Sequence, residues 1–178
     1  MLDQLIPAHG GYRTLKSFQN ATIVYDFTVE FCKRYVKDYR MKDQMIQAAR
    51  SGRQNIAEGC QASGTSKKTE MKLVGVARAS MEELLLDYED FLRQRNLPKW
   101  GKSDKQADEV RKLAYANHRS YMTYKTYISN HETAANVATC LIHQTNFLLD
   151  QQLKALSHAF VANGGFTERL YRSRSVRV

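Results

Sequence analysis

Histidine, cysteine and carboxylate side chains are the residues of this sequence that could hold a metal ion or activate a nucleophile. A di-iron site in a helical bundle needs Glu-x-x-His on two helices, which places two ligands one turn apart. The sequence contains neither that motif nor His-Glu-x-x-His. His131, His143 and His158 follow one another at intervals of 12 and 15 residues, without a carboxylate one turn away. We therefore expect no metal site and no cofactor.

Nucleophilic catalysis would need a cysteine or serine beside a base. Cys60 lies near Glu58 in the sequence, and Cys140 lies near His143. A cysteine in a helical apolar pattern is far more often a small buried hydrophobe. Segment 62–68, Ala-Ser-Gly-Thr-Ser-Lys-Lys, lacks the first glycine and the Gly-Lys-Ser/Thr order of a phosphate-binding loop. The sequence predicts no catalytic residue and a protein that is not an enzyme.

A group of polar residues between positions 50 and 83 allows two interpretations. The first is a small acidic pocket, and the second is a structural network that fixes the register of two helices. We favour the network because nothing reactive accompanies the carboxylates. A buried charge demands a partner, so Glu58 and Glu83 are expected to be partly buried and paired with nearby arginines. The predicted network comprises Arg50, Asn55, Glu58, Arg78, Ser80 and Glu83.

Lysine and arginine side chains offer phosphate-binding chemistry in three places. One group falls where a helix is predicted to begin, which is a favourable position for phosphate. A second is interleaved with tyrosines at 115, 121, 124 and 127, which can stack on unpaired bases or, equally, pack an oligomer interface. The third lies near the end of the chain. The predicted nucleic-acid-binding residues are Lys67, Lys68 and Lys72; Lys105, Arg111, Lys112 and Arg119; and Arg169, Arg172 and Arg174.

The charge of the chain is uneven. Its formal net charge is +9, and 15 basic against 12 acidic residues before position 99 leave +3 there. From position 99 onward, 12 basic against 6 acidic residues leave +6. Such a balance favours an anionic partner, nucleic acid first. A solvated surface that only keeps the protein soluble is the alternative.

Helices must position these side chains, because apolar residues recur at steps of three and four along most of the chain. No stretch alternates apolar and polar residues at strand spacing, so we predict an all-α protein with a single domain over residues 1–178. The predicted elements are bundle helices at 15–39, 43–62, 66–96 and 131–162, an additional inserted helix at 104–128, and a short basic C-terminal suffix at 163–178.

Capping residues and glycines set the expected boundaries. Asp43 is the predicted N-cap of the second helix, which ends at Gly59 or else at Gly64. Close backbone approach would explain Gly52 and Gly75 inside helices, where glycine costs about 1 kcal/mol relative to alanine. Capping boxes are predicted at 103–106 and 129–132.

The composition excludes several classes of protein. No apolar run approaches the ~20 residues that span a bilayer, so we expect no transmembrane helix and no membrane partner. The first seven residues lack a basic region followed by an apolar segment, which argues against a secretory signal. Three widely spaced cysteines fit thiols in a reducing compartment. These features predict a cytoplasmic protein.

The segments Asn55-Ile56-Ala57-Glu58-Gly59 and 78–84, Arg-Ala-Ser-Met-Glu-Glu-Leu, together with the Ser-Lys-Lys turn at 66–68, carry a family resemblance. The chain resembles the four-helix-bundle proteins encoded in intervening sequences of bacterial large-subunit ribosomal RNA genes, which are related to the accessory variability protein of diversity-generating retroelements. The resemblance covers residues 15–95 and, more weakly, 134–160. The ending at 164–172 is similar to a C-terminal suffix of one subfamily, and the segment 104–128 departs from the minimal pattern as an insertion.

This resemblance implies an up-and-down four-helix bundle that assembles into a cyclic homo-oligomer, with a pentamer as the expected ring. It also implies binding of nucleic acid or of a nucleoprotein enzyme through a basic surface. Wide apolar faces on the first helix and the tyrosines of the inserted segment independently predict an oligomer. We therefore expect a non-enzymatic, homo-oligomeric bundle that binds nucleic acid or a nucleoprotein partner; the alternative is a purely structural assembly module.

Overall fold

Four long helices with inward apolar faces make up the protein in a computed structural model that describes residue 6 and residues 8–175. Three shorter helices complete it, and no strand occurs in those residues, so the all-α prediction is confirmed. Short 3-10 segments lie at Tyr12–Thr14, Leu113–Tyr115 and Lys125–Ser129. The helices are α1 (Lys16–Tyr35), α2 (Tyr39–Ala62), α3 (Lys67–Gln94), α4 (Lys105–Lys112), α5 (Tyr121–Tyr124), α6 (His131–Asn163) and α7 (Phe166–Ser175).

The core lies between α1, α2, α3 and α6, each of which packs against two of the others in an up-and-down arrangement. Aromatic rings of α1 and α3 meet at its centre, where the Phe31 and Tyr88 centroids are 4.9 Å apart. The Tyr88 hydroxyl donates a 3.0 Å hydrogen bond to Thr28 Oγ1. Leu84 in α3 and Leu141 in α6 are fully buried. The periodicity of the long helices therefore identified the core correctly.

The turn between α1 and α2 lies four residues earlier than predicted. α1 ends at Tyr35, and the Asp38 carboxylate accepts a 2.7 Å hydrogen bond from the Met41 backbone N–H as the N-cap of α2. Asp43 is an exposed residue inside the helix, so its prediction as a cap was wrong. Both aspartates have the chemistry of a cap, and the apolar pattern alone did not distinguish them.

Of the three glycines inside α2 and α3, Gly52 and Gly59 allow close packing and Gly75 does not. α2 runs through Gly59 to Ala62, so neither predicted glycine ends it. A Cβ atom at Gly59 would lie 3.2 Å from the Glu70 carbonyl oxygen, which explains the glycine as a close approach of α3. At Gly52 a Cβ atom would lie 2.4 Å from Met81 Cε, whereas at Gly75 it would meet open space. Close approach therefore does not explain Gly75.

The segment predicted as one inserted helix at 104–128 is a folded-back hairpin instead. α4 and its 3-10 extension run one way, the chain turns at His118 with φ +55°, and α5 with its own 3-10 extension runs back. Val110 and Tyr124 are fully buried against the bundle. The reversal allows one half to pack against α6 and the other half to pack against α1 and the start of α6.

Two predicted capping boxes have different observed partners. The Asp104 carboxylate accepts a hydrogen bond from the Gly101 N–H instead of capping α4 through its side chain. At the start of α6 the cap is Asn130, whose side chain accepts a 2.9 Å hydrogen bond from the Thr133 N–H. The starts of α4 and α6 were therefore predicted within about two residues, and their side-chain partners were not.

The basic suffix predicted at 163–178 contains a helix, α7, which follows a sharp turn at Gly164 and Gly165. Gly164 has φ +70°, a left-handed conformation that favours glycine. The Glu168 carboxylate accepts a 2.8 Å hydrogen bond from the Gly165 N–H and so closes the turn. Arg177 of the suffix lies outside the described residues.

Candidate nucleic-acid interface

The predicted polar network is smaller than expected and uses a residue that the sequence analysis missed. The hydroxyls of Ser51 and Ser80 are 2.9 Å apart and join α2 to α3. Asn55 Nδ2 donates to both the carbonyl and the hydroxyl of Ser51. Glu58 and Glu83 are exposed, so the prediction that they are partly buried was wrong. Serine is common on helices, and its contact across the hairpin leaves no mark in the sequence.

Arg78 connects α3 to α6 and does not pair across the α2–α3 hairpin. Its guanidinium contacts Glu82 at 2.6 Å and Asp150 at 3.1 Å. Asn146 Nδ2 also donates to Glu82, at 3.3 Å. Arg50 is exposed and makes no ion pair with any of the described residues. The predicted role of Arg78 in helix register is thus found between a different pair of helices.

The three cysteines are free thiols in α1, α2 and α6. Burial raises the pKa of Cys32 to about 12 and also raises the pKa of Cys140. Such thiols are poorly ionised near neutral pH and are weak nucleophiles. The described part of the chain brings no three His, Cys, Asp or Glu side chains together as a possible metal site.

The first predicted basic group lies at the start of α3. Lys67 Nζ contacts the Glu70 carboxylate at 2.8 Å, and Glu70 is itself buried. That lysine is therefore partly neutralised. Lys68 and Lys72 are exposed on the first two turns of the same helix. They, rather than Lys67, are available to an incoming anion.

The second basic group belongs to the hairpin, where one carboxylate pairs with two of the four cations. Asp108 contacts both Arg111, at 3.4 Å, and Lys112, at 2.7 Å. Arg119 donates a 3.2 Å hydrogen bond to the Tyr124 hydroxyl. Only Lys105 of the group is an exposed cation that lacks a carboxylate partner in the described residues.

The tyrosines interleaved with this group mostly pack against the chain's own bundle. Tyr124 is fully buried, and Tyr121 and Tyr127 are half-buried against the core. The Tyr121 ring meets the edge of Phe27 in α1, with centroids 6.2 Å apart. Only Tyr115 is free, with 89% of its surface exposed. Three of the four tyrosines are therefore occupied, fully or in part, by packing against the chain's own bundle.

The third basic group lies on α7. Arg172 and Arg174 are exposed and have no ion-pair partner in the described residues. The Glu168 carboxylate accepts hydrogen bonds from the backbone N–H groups of Glu168 and Gly165 at the start of the helix. These hydrogen bonds lower the pKa of the carboxyl. Arg169 is half-buried, and two of its guanidinium nitrogens have no acceptor.

The first and third groups occupy the same end of the bundle. α3 and α6 run antiparallel, as the Arg78–Asp150 and Glu82–Asn146 contacts show, so the start of α3 lies beside the end of α6 and near α7. The start of α1 is there too, because Ser17 Oγ donates to Gln152 Oε1 at 2.7 Å. We call this end the basic end and define it by its exposed cations Lys16, Lys68, Lys72, Lys154, Arg172 and Arg174.

None of the six basic-end cations has a carboxylate within ion-pair distance in the part of the chain that the structure describes. The sequence analysis missed Lys16 and Lys154, since each is isolated along the chain. Their grouping could have been found only by placing antiparallel helices side by side. The hairpin begins at the other end, where the Trp100 N–H donates to Asn136 Oδ1 at 2.8 Å.

The other end of the bundle has mixed charge. A cleft of about 510 Å³ opens there between the α1–α2 turn and the end of α3. Lys37 and Arg95 line it together with Asp38, Asp87 and Asp90. Burial, and then the neighbouring carboxylates Glu83 and Asp90, raise the pKa of Asp87 to about 6. Positive and negative side chains are therefore mixed around this cleft.

Comparison with known proteins gives one family. The model of the 23S rRNA-intervening sequence protein family matches residues 14–113, more than half of the chain, so the chain belongs to that family. The match spans α1, α2, α3 and α4. No curated protein and no solved structure matches significantly. None of the helices in the described residues has the length and hydropathy needed to span a bilayer.

Proposed function

We propose that this member of the 23S rRNA-intervening sequence protein family is a non-enzymatic, homo-oligomeric helical bundle that binds nucleic acid, or a nucleoprotein partner, through its basic end. The observation that carries the proposal is the group of six exposed cations without carboxylate partners at one end of the bundle. A phosphate backbone is the polyanion that such a surface fits. The three free thiols of the protein support a cytoplasmic location.

The distribution of carboxylates supports the choice of this end. Glu70 contacts Lys67, and Glu168 is held by backbone N–H groups, so both are already occupied. At the hairpin, by contrast, Asp108 contacts two cations of the predicted surface. Arg111 and Lys112 are therefore not part of the proposed phosphate-binding surface. Lys105 lies at the other end of the bundle, where the hairpin begins, and the Arg119 guanidinium donates to the Tyr124 hydroxyl, so these two are not included either.

Assembly is supported by an outward apolar surface, although not by the one that the sequence indicated. The wide face of α1 and most of the tyrosines are covered within the chain. Leu86 and Phe147 are instead 56% and 62% exposed on neighbouring helices. They flank the Glu82–Asn146 contact, and with the exposed Ala79 they define the α3–α6 face. This face supports a homo-oligomer, for which the family resemblance suggests a ring of five.

Charge reversal at the two ends tests the nucleic-acid proposal. We expect Lys68→Glu, Lys72→Glu and Lys154→Glu, combined in one variant, to weaken binding to RNA and DNA of any sequence about tenfold or more. Phosphate contacts position a ligand without reading its bases, so the loss should not depend on sequence. The slope of log affinity against log salt should become shallower by about 0.7–0.9 for each lost contact.

A matched variant at the other end is the control. This variant changes the net charge by the same amount as the first one, at exposed positions away from the basic end. It combines Lys37→Glu, Lys102→Glu and Lys105→Glu. It should reduce affinity less than threefold in fluorescence anisotropy with single-stranded RNA, duplex RNA and duplex DNA. Equal losses in both variants would mean that only net charge matters. If the unchanged protein binds none of the probes below about 0.1 mM, weaker than typical non-specific association, the structural assembly module is correct.

A further inference from the structure

We infer that α7 is a single-strand-binding arm, in which Tyr171 stacks on an unpaired base while Arg172 and Arg174 contact the adjoining phosphates. This inference rests on the proposed nucleic-acid function and specifies its substrate as a strand with unpaired bases. It depends on the carboxylate that closes the turn before α7, on the exposure of Tyr171, and on the spacing of α7's cations.

The single carboxylate of α7 is used where the helix starts. Glu168 Oε2 accepts a hydrogen bond from the Gly165 N–H, and the Glu168 side chain packs over Gly164, where an added Cβ atom would be 3.2 Å from Glu168 Cβ. The carboxylate therefore closes the turn. Arg172 and Arg174 extend beyond it without an ion-pair partner in the described residues. α7 thus presents positive charge to solvent along its outer part.

Tyr171 provides an aromatic surface among these charges. Its side chain is 73% exposed, and α7 contains no buried residue. No ring contact or cation–π contact within the described residues involves Tyr171. Every nucleobase has a π-face, so an uncovered tyrosine beside cations can stack on a base without requiring a particular sequence.

The spacing along α7 matches this division of roles. Residues three apart on a helix are neighbours, about 5–6 Å apart at Cβ, so Arg174 lies one turn beyond Tyr171 on the same side. Arg172 is adjacent in sequence and lies one turn beyond Arg169. The Arg174 guanidinium thus lies one turn from the ring on the same side of α7, and a guanidinium can contact phosphates and also stack on bases.

The partly buried guanidinium of Arg169 adds positive charge at the start of α7. Its Nε and Nη2 atoms are buried and have no hydrogen-bond acceptor in the described residues. Burying a cation without a partner costs free energy, and a phosphate nearby would offset part of that cost. No comparable unpaired cation accompanies Tyr115, whose preceding turn carries Arg111 and Lys112, both in contact with Asp108. Of the two freely exposed tyrosines in the basic groups, Tyr171 is therefore the one placed to bind a strand.

Substitution of the ring alone tests the inference. We expect Tyr171→Ala to weaken binding of a 12-nucleotide single-stranded RNA about 5- to 150-fold, the range that stacking of one base on an aromatic ring supports. Affinity for a 16-base-pair RNA duplex should change less than twofold, because its bases are already stacked. Tyr171→Phe should retain single-strand affinity within about twofold, since it keeps the ring. Tyr115→Ala, at the other exposed tyrosine, should change neither.

Each other outcome has a definite meaning. If single-strand and duplex affinities fall equally, or if neither falls while the unchanged protein binds both, α7 supplies at most charge and the inference is wrong, although the proposed function stands. If the unchanged protein binds no nucleic acid, both fail. If Tyr171→Ala instead weakens binding only to vesicles of phosphatidylserine and phosphatidylcholine, α7 is a membrane-surface helix and the inference is wrong. Thermal unfolding of every variant verifies folding.

Discussion

At the scale of single residues, Asp87 is a carboxylate whose surroundings oppose its charge. Burial, followed by the like charges of Glu83 and Asp90, raises its pKa from 3.8 to about 6. The folded protein therefore holds its proton more tightly than the unfolded chain does. The stability that this protonation contributes is present below about pH 3.8 and is lost as the pH rises through about 6.

Asp87→Asn removes the charge and keeps the shape. Two pKa units correspond to about 3 kcal/mol, and because Asp87 is only half-buried we expect a gain on the order of 1 kcal/mol at pH 7.5. Near pH 4 the variant should gain almost nothing, because Asp87 is already largely protonated in the folded state. Urea unfolding at both pH values measures the difference, with exposed Glu58→Gln as the control. An equal gain at both values would contradict the raised pKa.

Residue-scale contacts were the least predictable part of this molecule. Arg78 was expected to pair with Glu58 or Glu83 in the α2–α3 hairpin, yet it contacts Glu82 one turn along its own helix and Asp150 on α6. A long flexible side chain reaches several acceptors of similar energy, and the sequence does not rank them. Small hydroxyl contacts such as Ser51–Ser80 are invisible for the same reason.

At the scale of elements, the α1–α2 turn shows how a helix start is decided. Asp38 and Asp43 both suit an N-cap, but only Asp38 accepts a hydrogen bond from a first-turn N–H. The cap lies where α1 runs out, three residues after Tyr35. Tertiary packing of the two helices therefore selected the start of α2.

Substituting the two aspartates separately tests this boundary. Asp38→Ala leaves an N–H of the first turn without its partner, which typically costs about 0.5–2 kcal/mol. Asp43→Ala removes an exposed carboxylate inside the helix and should change the free energy of unfolding by less than about 0.5 kcal/mol. Chemical denaturation of both variants compares them directly. A larger loss for Asp43→Ala would place the start of α2 where the sequence suggested.

The long helices could be predicted because each has one continuous buried face, and burial imposes the 3.6-residue period on the sequence. The hairpin could not, since its two short halves each bury only a few residues such as Val110 and Tyr124. Their spacing also fits one straight helix. The reversal at His118 depends on a left-handed conformation for which the chain has no glycine there.

At the scale of the whole molecule, the charge and the apolar surface are separated. The six cations of the basic end lie at one end, while Leu86 and Phe147 lie along the side of α3 and α6, and further exposed cations such as Arg50 and Lys105 lie elsewhere. The sequence predicted the net charge and some of its carriers. It could not predict their grouping, because that depends on which helix ends lie together.

Assembly through the α3–α6 face makes its own prediction. Combined Leu86→Glu and Phe147→Glu substitutions should convert the oligomer to a monomer in analytical ultracentrifugation at micromolar concentration, because charges cannot be buried unpaired in an interface. Met122→Glu, at a hairpin residue that is 64% exposed, is the control and should leave the oligomer intact. A monomer before any substitution would remove the oligomer from the proposed function.

Concentration of charge at one end also has a consequence for symmetry. Cyclic symmetry keeps every subunit pointing the same way along the ring axis. A ring with helices parallel to that axis would gather all its basic ends on one rim and its mixed-charge clefts on the other. Such a ring has two unlike sides, and only one of them carries the proposed phosphate-binding surface. A dimer with its two-fold axis perpendicular to the helices would instead place the basic ends at opposite poles, where one short strand could not reach both.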